Sequence, residues 1–264
     1  MILEEFDNNV DAVINPWNIV KKREGIPKVI VSCFARATFD RIVRELNAVP
    51  FSAVSTANTT IDIYCAEYCG YNVGLVMADI GAPSCVAVFE EIYQMGAETV
   101  ILFGTCGVLD ASIADCSVII PNSAVRDEGT SYHYAPASDE IVVNTKYTDL
   151  FIKLLEEFHC SYIIGKTWTT DAIYRETKRK VFERKAQGCI CVEMECAAMT
   201  AMAQFRQKEF FTFFYAADNL DAEQWDMRSL SNDSKLLEKD RIAQLALELA
   251  KEIYMADQLF PTKK

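Results

Sequence analysis

Residues 83–107, PSCVAVFEEIYQMGAETVILFGTCG, hold the pattern that decides the fold class. Apolar residues recur at helical spacing in the first part, which predicts a helix over Pro83–Met95. The run TVILF at Thr99–Phe103 is apolar throughout and rich in β-branched residues, which predicts a strand buried on both faces. We expect this strand to stop at Gly104–Gly107, where small residues let the backbone come close to a ligand.

The same alternation continues on both sides of this stretch. Two apolar runs around Cys69-Gly70 are typical of a hairpin. The pattern as a whole predicts an α/β fold, a three-layer sandwich with a central mixed β-sheet flanked by helices. Strands are predicted at 28–32, 61–66, 71–78, 117–121, 162–167, 190–194 and 210–217, and helices at 37–46, 150–158, 177–185, 196–205 and 234–255.

The domain organisation predicted from the sequence is simple. Residues 28–264 are expected to form a single catalytic domain, since no repeat, low-complexity tract or Pro/Gly/Ser linker divides them. Residues 1–27 are expected to form a helical extension, with Asn15 as a cap, Pro16 in the first turn and an end near Lys22.

Composition excludes several classes of protein. The chain has 264 residues and a net charge of −12, which argues against nucleic acid or an anionic membrane surface as a partner. Its apolar runs fall short of the ~20 residues that a membrane span needs. The acidic first residues lack the pattern of a secretory signal, so we expect a cytoplasmic protein.

Ten cysteines are spread over this large chain. With only two histidines and no paired CxxC units, Cys65/Cys69 and Cys189/Cys191 are not expected to bind metal. Those in apolar or small-residue surroundings are expected to be buried free thiols, namely Cys33, Cys85, Cys106, Cys191 and Cys196.

Residues 191–196, CVEMEC, place two carboxylates where a buried strand is predicted to become a buried helix. A structural interpretation exists, because the helix dipole favours glutamate at an N-terminus. Both flanks are apolar, however, and a buried carboxylate without a partner is costly. We therefore favour a functional role, and a carboxylate that accepts two adjacent sugar hydroxyls fits it.

Two other strand ends carry chemistry that the pattern leaves open. Asp218 follows an apolar strand and either caps the next turn or faces a pocket, where desolvation would let it act as a general acid. The stretch Gly104–Gly107 is either a tight connection or a group of N–H and hydroxyl donors suited to an anion or a base ring.

Five segments together resemble the nucleoside phosphorylase family, which includes purine nucleoside and uridine phosphorylases. The resemblance covers about Lys28 to Arg228 and rests above all on the Glu-Met-Glu step. The segments are LFGTCGVL (Leu102–Leu109), AVRDEGTSYHYAP (Ala124–Pro136), KTWTTDAIYRET (Lys166–Thr177), VEMECAAM (Val192–Met199) and ADNLDAEQWDMR (Ala217–Arg228).

The resemblance implies roles for individual residues. Glu195 would take the 2′- and 3′-hydroxyls of ribose, and Asp218 would be the general acid that protonates N7 of a purine, supported by Arg228. Such a proton donor makes a purine the expected base. His133, between two tyrosines, is more often a packed residue than a contact to the sugar. The implied substrate-binding residues are Thr105, Cys106, Gly107, His133, Ile173, Tyr174, Glu193, Met194 and Glu195.

The phosphate site departs from the family pattern. The family's Gly-Asp-Pro-x-Arg turn reads here as SCFAR at Ser32–Arg36, so Arg36, with Thr105, is expected to bind phosphate. Leu102 and Cys65 stand where two further arginines are usual, and each missing contact would contribute ~1.5–3 kcal/mol. Three other cationic residues could replace these arginines in the phosphate site if their loops fold inward. An exposed, solvated role is supported at least equally for each of them. They are Arg126, Lys166 and Arg175.

Three hypotheses follow from these residues. The first is a phosphorylase that uses inorganic phosphate as co-substrate, with no metal or other cofactor. The second is a nucleosidase that uses water, although Ser32–Arg36 lacks the glutamate usual in that branch. The third is a catalytically silent nucleoside-binding protein, against which the retained Glu195 and Asp218 speak. Family members are dimers or hexamers, so a homodimer or homohexamer is expected.

Overall fold

Strands and helices alternate along the computed structural model, which describes residues 2–230 and 234–259. The strands are β1 Val29–Cys33, β2 Val49–Ser55, β3 Thr60–Tyr68, β4 Tyr71–Met77, β5 Thr99–Val108, β6 Val118–Asp127, β7 Glu140–Val142, β8 Tyr162–Thr170, β9 Cys189–Glu193 and β10 Glu209–Asn219. The helices are α1 Pro16–Ile19, α2 Arg36–Glu45, α3 Ala82–Met95, α4 Thr148–Glu157, α5 Lys178–Ala186, α6 Cys196–Phe205 and α7 Leu236–Leu259.

All these strands belong to one mixed sheet. Its order is β10-β6-β8-β9-β5-β1-β4-β3-β2, with β7 paired to β6. Strand β10 also pairs in parallel with β5, so the path through β5, β9, β8, β6 and β10 closes on itself. Strands β1, β4 and β5 run parallel, whereas β3 is antiparallel to both β2 and β4.

Helices cover both faces of this sheet, and successive residues of one strand show it. Ile101 and Phe103 of β5 pack into one cluster with residues of α2, α4 and α7. Val100 and Leu102 pack into a second cluster with residues of α3 and α6. Because side chains alternate between the faces of a strand, one apolar run fills two layers. The predicted three-layer sandwich with a central mixed sheet is confirmed.

Several predicted elements match the structure closely. Helix α6 has the predicted bounds, and α3 begins one residue earlier than predicted. The hairpin of β3 and β4 turns at Cys69 and Gly70, whose φ angles are 49° and 84°. Gly188, with φ of 88°, follows α5 as predicted for the residue after a helix C-cap.

Other predictions need correction. Gly104–Gly107 does not form a turn: β5 continues through these residues because they pair with β10 on one side and, at Gly107, with β9 on the other. Strand β6 likewise continues beyond Pro121, with a register shift against β8. The N-terminal helix is one turn long, since α1 ends at Ile19 rather than near Lys22, and strands β2 and β7 were not predicted.

A β-bulge near the end of β10 determines which way Asp218 points. Ala216 pairs with Cys106 and Asp218 pairs with Gly107, so Ala217 is an extra residue. One extra residue moves the following side chains to the other face. Asp218 therefore shares a face with Tyr215.

No helix of the described segments is long and apolar enough to cross a membrane.

The cysteines that were predicted to be buried free thiols are placed as predicted. All ten cysteines are free, and the five predicted to be buried are buried. Within residues 2–230 and 234–259, no group of three or more His, Cys, Asp or Glu side chains is arranged to hold a metal ion.

Candidate active site

A cavity of about 1000 Å³ opens where the predicted strand ends meet. Residues at or just after the carboxyl ends of five strands, β1, β5, β8, β9 and β10, contribute to its wall. This follows from the sheet, since ligands of α/β proteins bind beyond the carboxyl ends of the strands. The lining residues from these ends are Phe34, Ala35 and Arg36, then Thr105, Cys106 and Gly107, then Ile173 and Tyr174, then Glu193, Met194 and Glu195, and finally Asp218 and Leu220.

Glu193 is a buried carboxylate whose two oxygens are engaged within the protein. Its Oε1 accepts hydrogen bonds from Thr169 Oγ1 (2.6 Å) and Thr167 Oγ1 (3.3 Å). Its Oε2 accepts from the backbone N–H groups of Glu195 (2.8 Å) and Cys196 (2.7 Å). Burial raises the pKa of Glu193 to about 7, against the effect of these donors. Glu193 thus anchors the start of α6 and holds Glu195 in place.

Glu195 lines the cavity two residues later. Its Oε1 accepts a 2.6 Å hydrogen bond from the backbone N–H of Gly81, the residue before α3. Gly81 has a φ of 96°, a conformation that L side chains rarely adopt. Burial is the main cause that raises the pKa of Glu195 to about 8, and the charge of Glu193 is the second cause. Ligand hydroxyls that donate to this carboxylate would favour its ionised form.

Asp218 lines the same cavity and is 8% exposed. Its Oδ2 accepts a 2.8 Å hydrogen bond from Nε1 of Trp225. Its Oδ1 lies on the side of Gly107, where a Cβ atom would be 3.2 Å from it. Burial raises the pKa of Asp218, and the Trp225 hydrogen bond and the Arg228 charge lower it. Partial burial favours the protonated acid that a proton donor needs.

Arg228 does not line the cavity. Its Nη1 donates to the carbonyl of Ile113 at 2.8 Å, and its Nε lies 3.4 Å from Asp226. Its charge still acts on Asp218, so its supporting role stays a prediction. The direct hydrogen bond to Asp218 comes from Trp225, to which the sequence analysis gave no role.

Apolar side chains line the same cavity as the two carboxylates. They include Val192, Met194 and Leu220, and a Cβ at Gly107 would crowd Val192 and Leu220. Ile173 and Tyr174 lie at the exposed rim, where Tyr174 is 94% exposed. A flat, partly apolar ring suits such walls.

Glu176 is a lining residue that the sequence analysis missed. It lies between a short 3-10 helix at Ile173–Arg175 and Thr177, the N-cap of α5. Burial, followed by the charge of Asp218, raises the pKa of Glu176 to about 7. Nothing in the sequence pattern separates it from the exposed Arg175 beside it, because only the fold turns it toward the cavity.

Four cationic residues line the cavity. Arg36 is exposed and pairs with Asp40 at 3.4 Å. The more buried Arg41 pairs with Asp240 at 2.6 Å. The other two are Lys178 and Lys239.

The substitutes considered from the sequence lie elsewhere. Arg126 is buried, donates to Ser131 and Pro136, and lies over the Tyr132 ring. Lys166 pairs with Glu140 at 2.5 Å, and neither it nor Arg175 lines the cavity.

The two positions that lack arginine contribute no charge. Leu102 is 2% exposed and packs in the core beneath α3 and α6. Cys65 lies half-buried on β3. The ring of Phe34 packs over Gly104, where a Cβ would lie 2.7 Å from it. The positions of Leu102 and Cys65 therefore lack the positive charge that the family pattern implies.

His133 and Cys106 were predicted to bind substrate, but their side chains are not turned into the cavity as the others are. His133 is exposed in a short 3-10 helix and does not line the cavity. Its neighbour Tyr134 packs against Phe205 instead, which keeps this loop with α6. Cys106 does border the cavity, but its thiol packs in an apolar cluster and donates to the carbonyl of Tyr215.

Comparisons of the chain with known proteins identify its family. The sequence model of the phosphorylase superfamily matches residues 28–253. A guanosine phosphorylase from Halorubrum lacusprofundi is 28% identical over 168 residues, which are 62% of this chain and 68% of that protein. A uridine phosphorylase from Escherichia coli is 27% identical over 151 residues, 52% of this chain and 60% of that protein.

The fold comparison covers more of the chain. The crystal structure of a purine nucleoside phosphorylase from Toxoplasma gondii superposes with a TM-score of 0.74 at 17% identity, covering 87% of this chain and 92% of that one. At this identity the match establishes the fold alone. The sequence match over residues 28–253 establishes the family, and the chain belongs to the phosphorylase superfamily, among the nucleoside phosphorylases that its motifs resemble.

Proposed function

We propose that this protein is a nucleoside phosphorylase that cleaves the N-glycosidic bond of a purine nucleoside with phosphate, releasing the base and ribose 1-phosphate. The observation that carries the proposal is that Glu195 and Asp218 line one cavity together with apolar side chains. The guanosine phosphorylase among the relatives supports a purine, and the uridine phosphorylase is the reason to test pyrimidines as well.

Asp218 would supply the proton for the departing base. Cleavage passes through a sugar with oxocarbenium character, and a protonated base leaves more readily. Trp225 occupies Oδ2 of Asp218, which leaves Oδ1, beside Gly107, as the atom to carry the proton. The apolar side chains of Val192 and Leu220, which line the same cavity, would pack against the ring.

Glu195 would hold the sugar. One of its oxygens accepts from Gly81, and a carboxylate has further acceptor positions for two adjacent hydroxyls. Met194 would pack against the sugar, since it lines the cavity next to Glu195. The negative charge of Glu195 would also stabilise the positive charge that develops on the sugar.

Arg36 and Thr105 would bind phosphate. The Arg36–Asp40 pair is exposed, and such pairs contribute only about 0–1 kcal/mol. Arg36 can therefore exchange Asp40 for a phosphate oxygen with little loss of free energy. Arg41 and Lys239 line the same cavity and would add positive potential there.

The proposal is tested by incubating guanosine, inosine, adenosine and uridine with and without phosphate and measuring free base and ribose 1-phosphate. We expect purine release that depends on phosphate, and its loss in Glu195→Ala. Glu157→Ala, an exposed glutamate on α4 remote from the cavity, serves as the matched control and should keep full activity. Release of uracil alone would overturn the purine assignment.

Hydrolysis is the second candidate, and the absence of two arginines from the phosphate site of the family pattern favours it. Leu102 and Cys65 stand where the family pattern has these arginines. A nucleosidase would release the base at the same rate without phosphate and would yield free ribose. That result would replace phosphorolysis while leaving the roles of Glu195 and Asp218 intact.

We also infer a homodimer or homohexamer, by analogy with the family. Multi-angle light scattering should give at least twice the chain mass of 29.7 kDa. A monomeric mass that persists at enzyme concentrations with full activity would contradict this.

A further inference from the structure

The first turn of α2 borders the cavity with backbone donors that lack acceptors. Its residues Ala35 to Thr38 all line the cavity. The N-cap Ala35 makes no side-chain hydrogen bond to the turn, and the turn holds no acidic residue. Among residues 2–230 and 234–259, an acceptor for this end of the helix is found first for the N–H of Phe39, which donates to Ala35. Unsatisfied N–H groups at a helix N-terminus suit an anion.

Arg41 extends over this same turn. It lies three residues after Thr38, on the same face of α2, and it also lines the cavity. Side chains of a helix are directed towards its N-terminus, and Nη2 of Arg41 accordingly donates to Thr38 Oγ1 at 3.5 Å. The guanidinium group is therefore placed beside the N–H groups of the first turn.

An ion pair holds Arg41 in this position and leaves part of it available. Asp240 of α7 accepts from Nε of Arg41 at 2.8 Å and pairs with Nη2 at 2.6 Å. Nη1 has no acceptor in the segments that the structure describes. Because Asp240 already orders the guanidinium group, less side-chain entropy is lost when Nη1 binds a ligand.

The cavity wall carries further positive charge from α7. Lys239, the neighbour of Asp240, lines the cavity and donates to the carbonyl of Ser229. In contrast, Cys65 on β3 and Leu102 on β5 are uncharged where the family pattern has arginines. The cations of this cavity thus come from α2, α5 and α7, and none comes from β3 or β5.

This inference rests on the proposed function, and it assigns a further residue that binds the co-substrate. We propose that Arg41 is a phosphate-binding residue, whose Nη1 acts with the N–H groups of the first turn of α2 in place of the two absent arginines. Phosphate oxygens accept strong hydrogen bonds from guanidinium groups and from helix N-termini. Asp240 is a positioning residue, because it contacts Arg41 and not the phosphate.

Arg41→Gln tests the inference through the difference between the two substrates. The substitution removes the charge and the Nη1 donors, so KM for phosphate should rise by at least about tenfold. KM for the nucleoside should stay within about twofold of the wild type, because the sugar and the base are held by other residues. Titration calorimetry with inorganic phosphate alone gives the same comparison without catalysis.

Arg41→Lys is the conservative variant. Lysine keeps the charge but lacks the planar fork that Asp240 orders, so its KM for phosphate should lie between those of the wild type and Arg41→Gln. Circular dichroism establishes which variants are folded. If Arg41→Gln does not fold, a KM for phosphate in Arg41→Lys equal to that of the wild type would overturn the inference.

Arg44→Gln is the matched control. Arg44 lies on the same helix, is exposed and does not line the cavity, so the same loss of charge should leave both KM values unchanged. An equal rise in KM for phosphate in both glutamine variants would assign the effect to net charge and overturn the inference.

Two results separate this inference from the proposed function. An unchanged KM for phosphate in Arg41→Gln, with base release by the wild type still dependent on phosphate, would overturn the inference and leave the proposed function standing. Base release by the wild type at the same rate without phosphate would instead overturn phosphorolysis, and the role of Arg41 with it.

Discussion

The indole Nε1 of Trp225 donates a 2.8 Å hydrogen bond to Oδ2 of Asp218. The bulge at Ala217 turns Asp218 toward the cavity, and Trp225, from the segment after β10, then fixes its carboxyl group. Donation to a carboxylate favours its charged form, so Trp225 limits the rise that burial causes in the pKa of Asp218. The contact therefore both orients the carboxyl group of Asp218 and limits the rise in its pKa.

Trp225→Phe should therefore change both the rate and its pH dependence. Without the donor, the pKa of Asp218 rises further, and the high-pH limb of the kcat profile, where Asp218 loses its proton, should move to higher pH. Loss of orientation should lower kcat by about tenfold. Steady-state rates from pH 5 to pH 9 measure both effects.

Trp17→Phe is the control for this substitution, since Trp17 lies on α1 outside the cavity. Its pH profile should coincide with that of the wild type. An unshifted profile in Trp225→Phe would show that Trp225 does not govern the proton on Asp218.

Gly81 offers a second test, because its backbone holds the sugar-binding carboxylate. Its φ of 96° and ψ of 135° are strained for any L side chain, so Gly81→Ala should cost about 1–3 kcal/mol of stability. Relaxation of that strain would move the N–H away from Glu195, and KM for the nucleoside should rise. Thermal unfolding and steady-state kinetics measure the two effects separately.

Gly70→Ala provides the comparison at a positive φ with no link to the site. Gly70 has a φ of 84° in the β3–β4 hairpin, and a Cβ there would meet no neighbour. It should lose stability through its backbone and keep the wild-type KM. If both variants kept that KM, the Gly81–Glu195 contact would have no part in binding.

The order of helices and strands could be predicted from the sequence because the buried segments show the hydrophobic spacing typical of a helix or a strand. Strand β2 was missed since Pro50 interrupts it and most of its side chains are exposed or half-buried. Strand β5 was ended too early because Gly104 and Gly107 read as a turn, although they serve close packing against Phe34 and Leu220. Local propensity does not reveal such long-range contacts.

The candidate site was predictable in part for the same reason. Glu195 lies just after β9 and Asp218 lies near the end of β10, and strand ends meet at one edge of a sheet. Glu176 and Trp225 lie in irregular segments whose paths depend on packing from distant parts of the chain. Their composition alone is that of ordinary exposed loops.

Glu193 should matter for stability through the donors it satisfies. Glu193→Ala leaves the buried N–H groups of Glu195 and Cys196 without an acceptor, at about 1–3 kcal/mol for each. Glu193→Gln should be milder, because its oxygen can face these N–H groups while its amide donates to Thr169. Denaturant unfolding at pH 6 measures the difference, and equal losses would contradict the anchoring role.

The pH dependence of stability follows from the same two glutamates. Their pKa values in the folded protein, about 7 for Glu193 and about 8 for Glu195, exceed those of an unfolded chain. The folded state then holds more protons, so its free energy of unfolding falls as pH rises from ~4.5 to ~8. Glu193→Gln should flatten the part of this decline between pH ~4.5 and pH ~7, and a decline unaltered by the substitution would assign it to other groups.

Nucleoside binding should release a proton. In the empty cavity Glu195 is mostly protonated at pH 7, because its pKa is about 8. Two sugar hydroxyls that donate to the carboxylate favour its ionised form, so binding lowers that pKa and expels the proton. Affinity should then rise by up to about tenfold per pH unit below pH 8 and level off above it.

Calorimetry in phosphate-free buffers of different ionisation enthalpy measures the released proton directly. Glu195→Gln should bind more weakly and without proton release. Binding by the wild type that is independent of pH between 6 and 8 would mean that the sugar is held by another group.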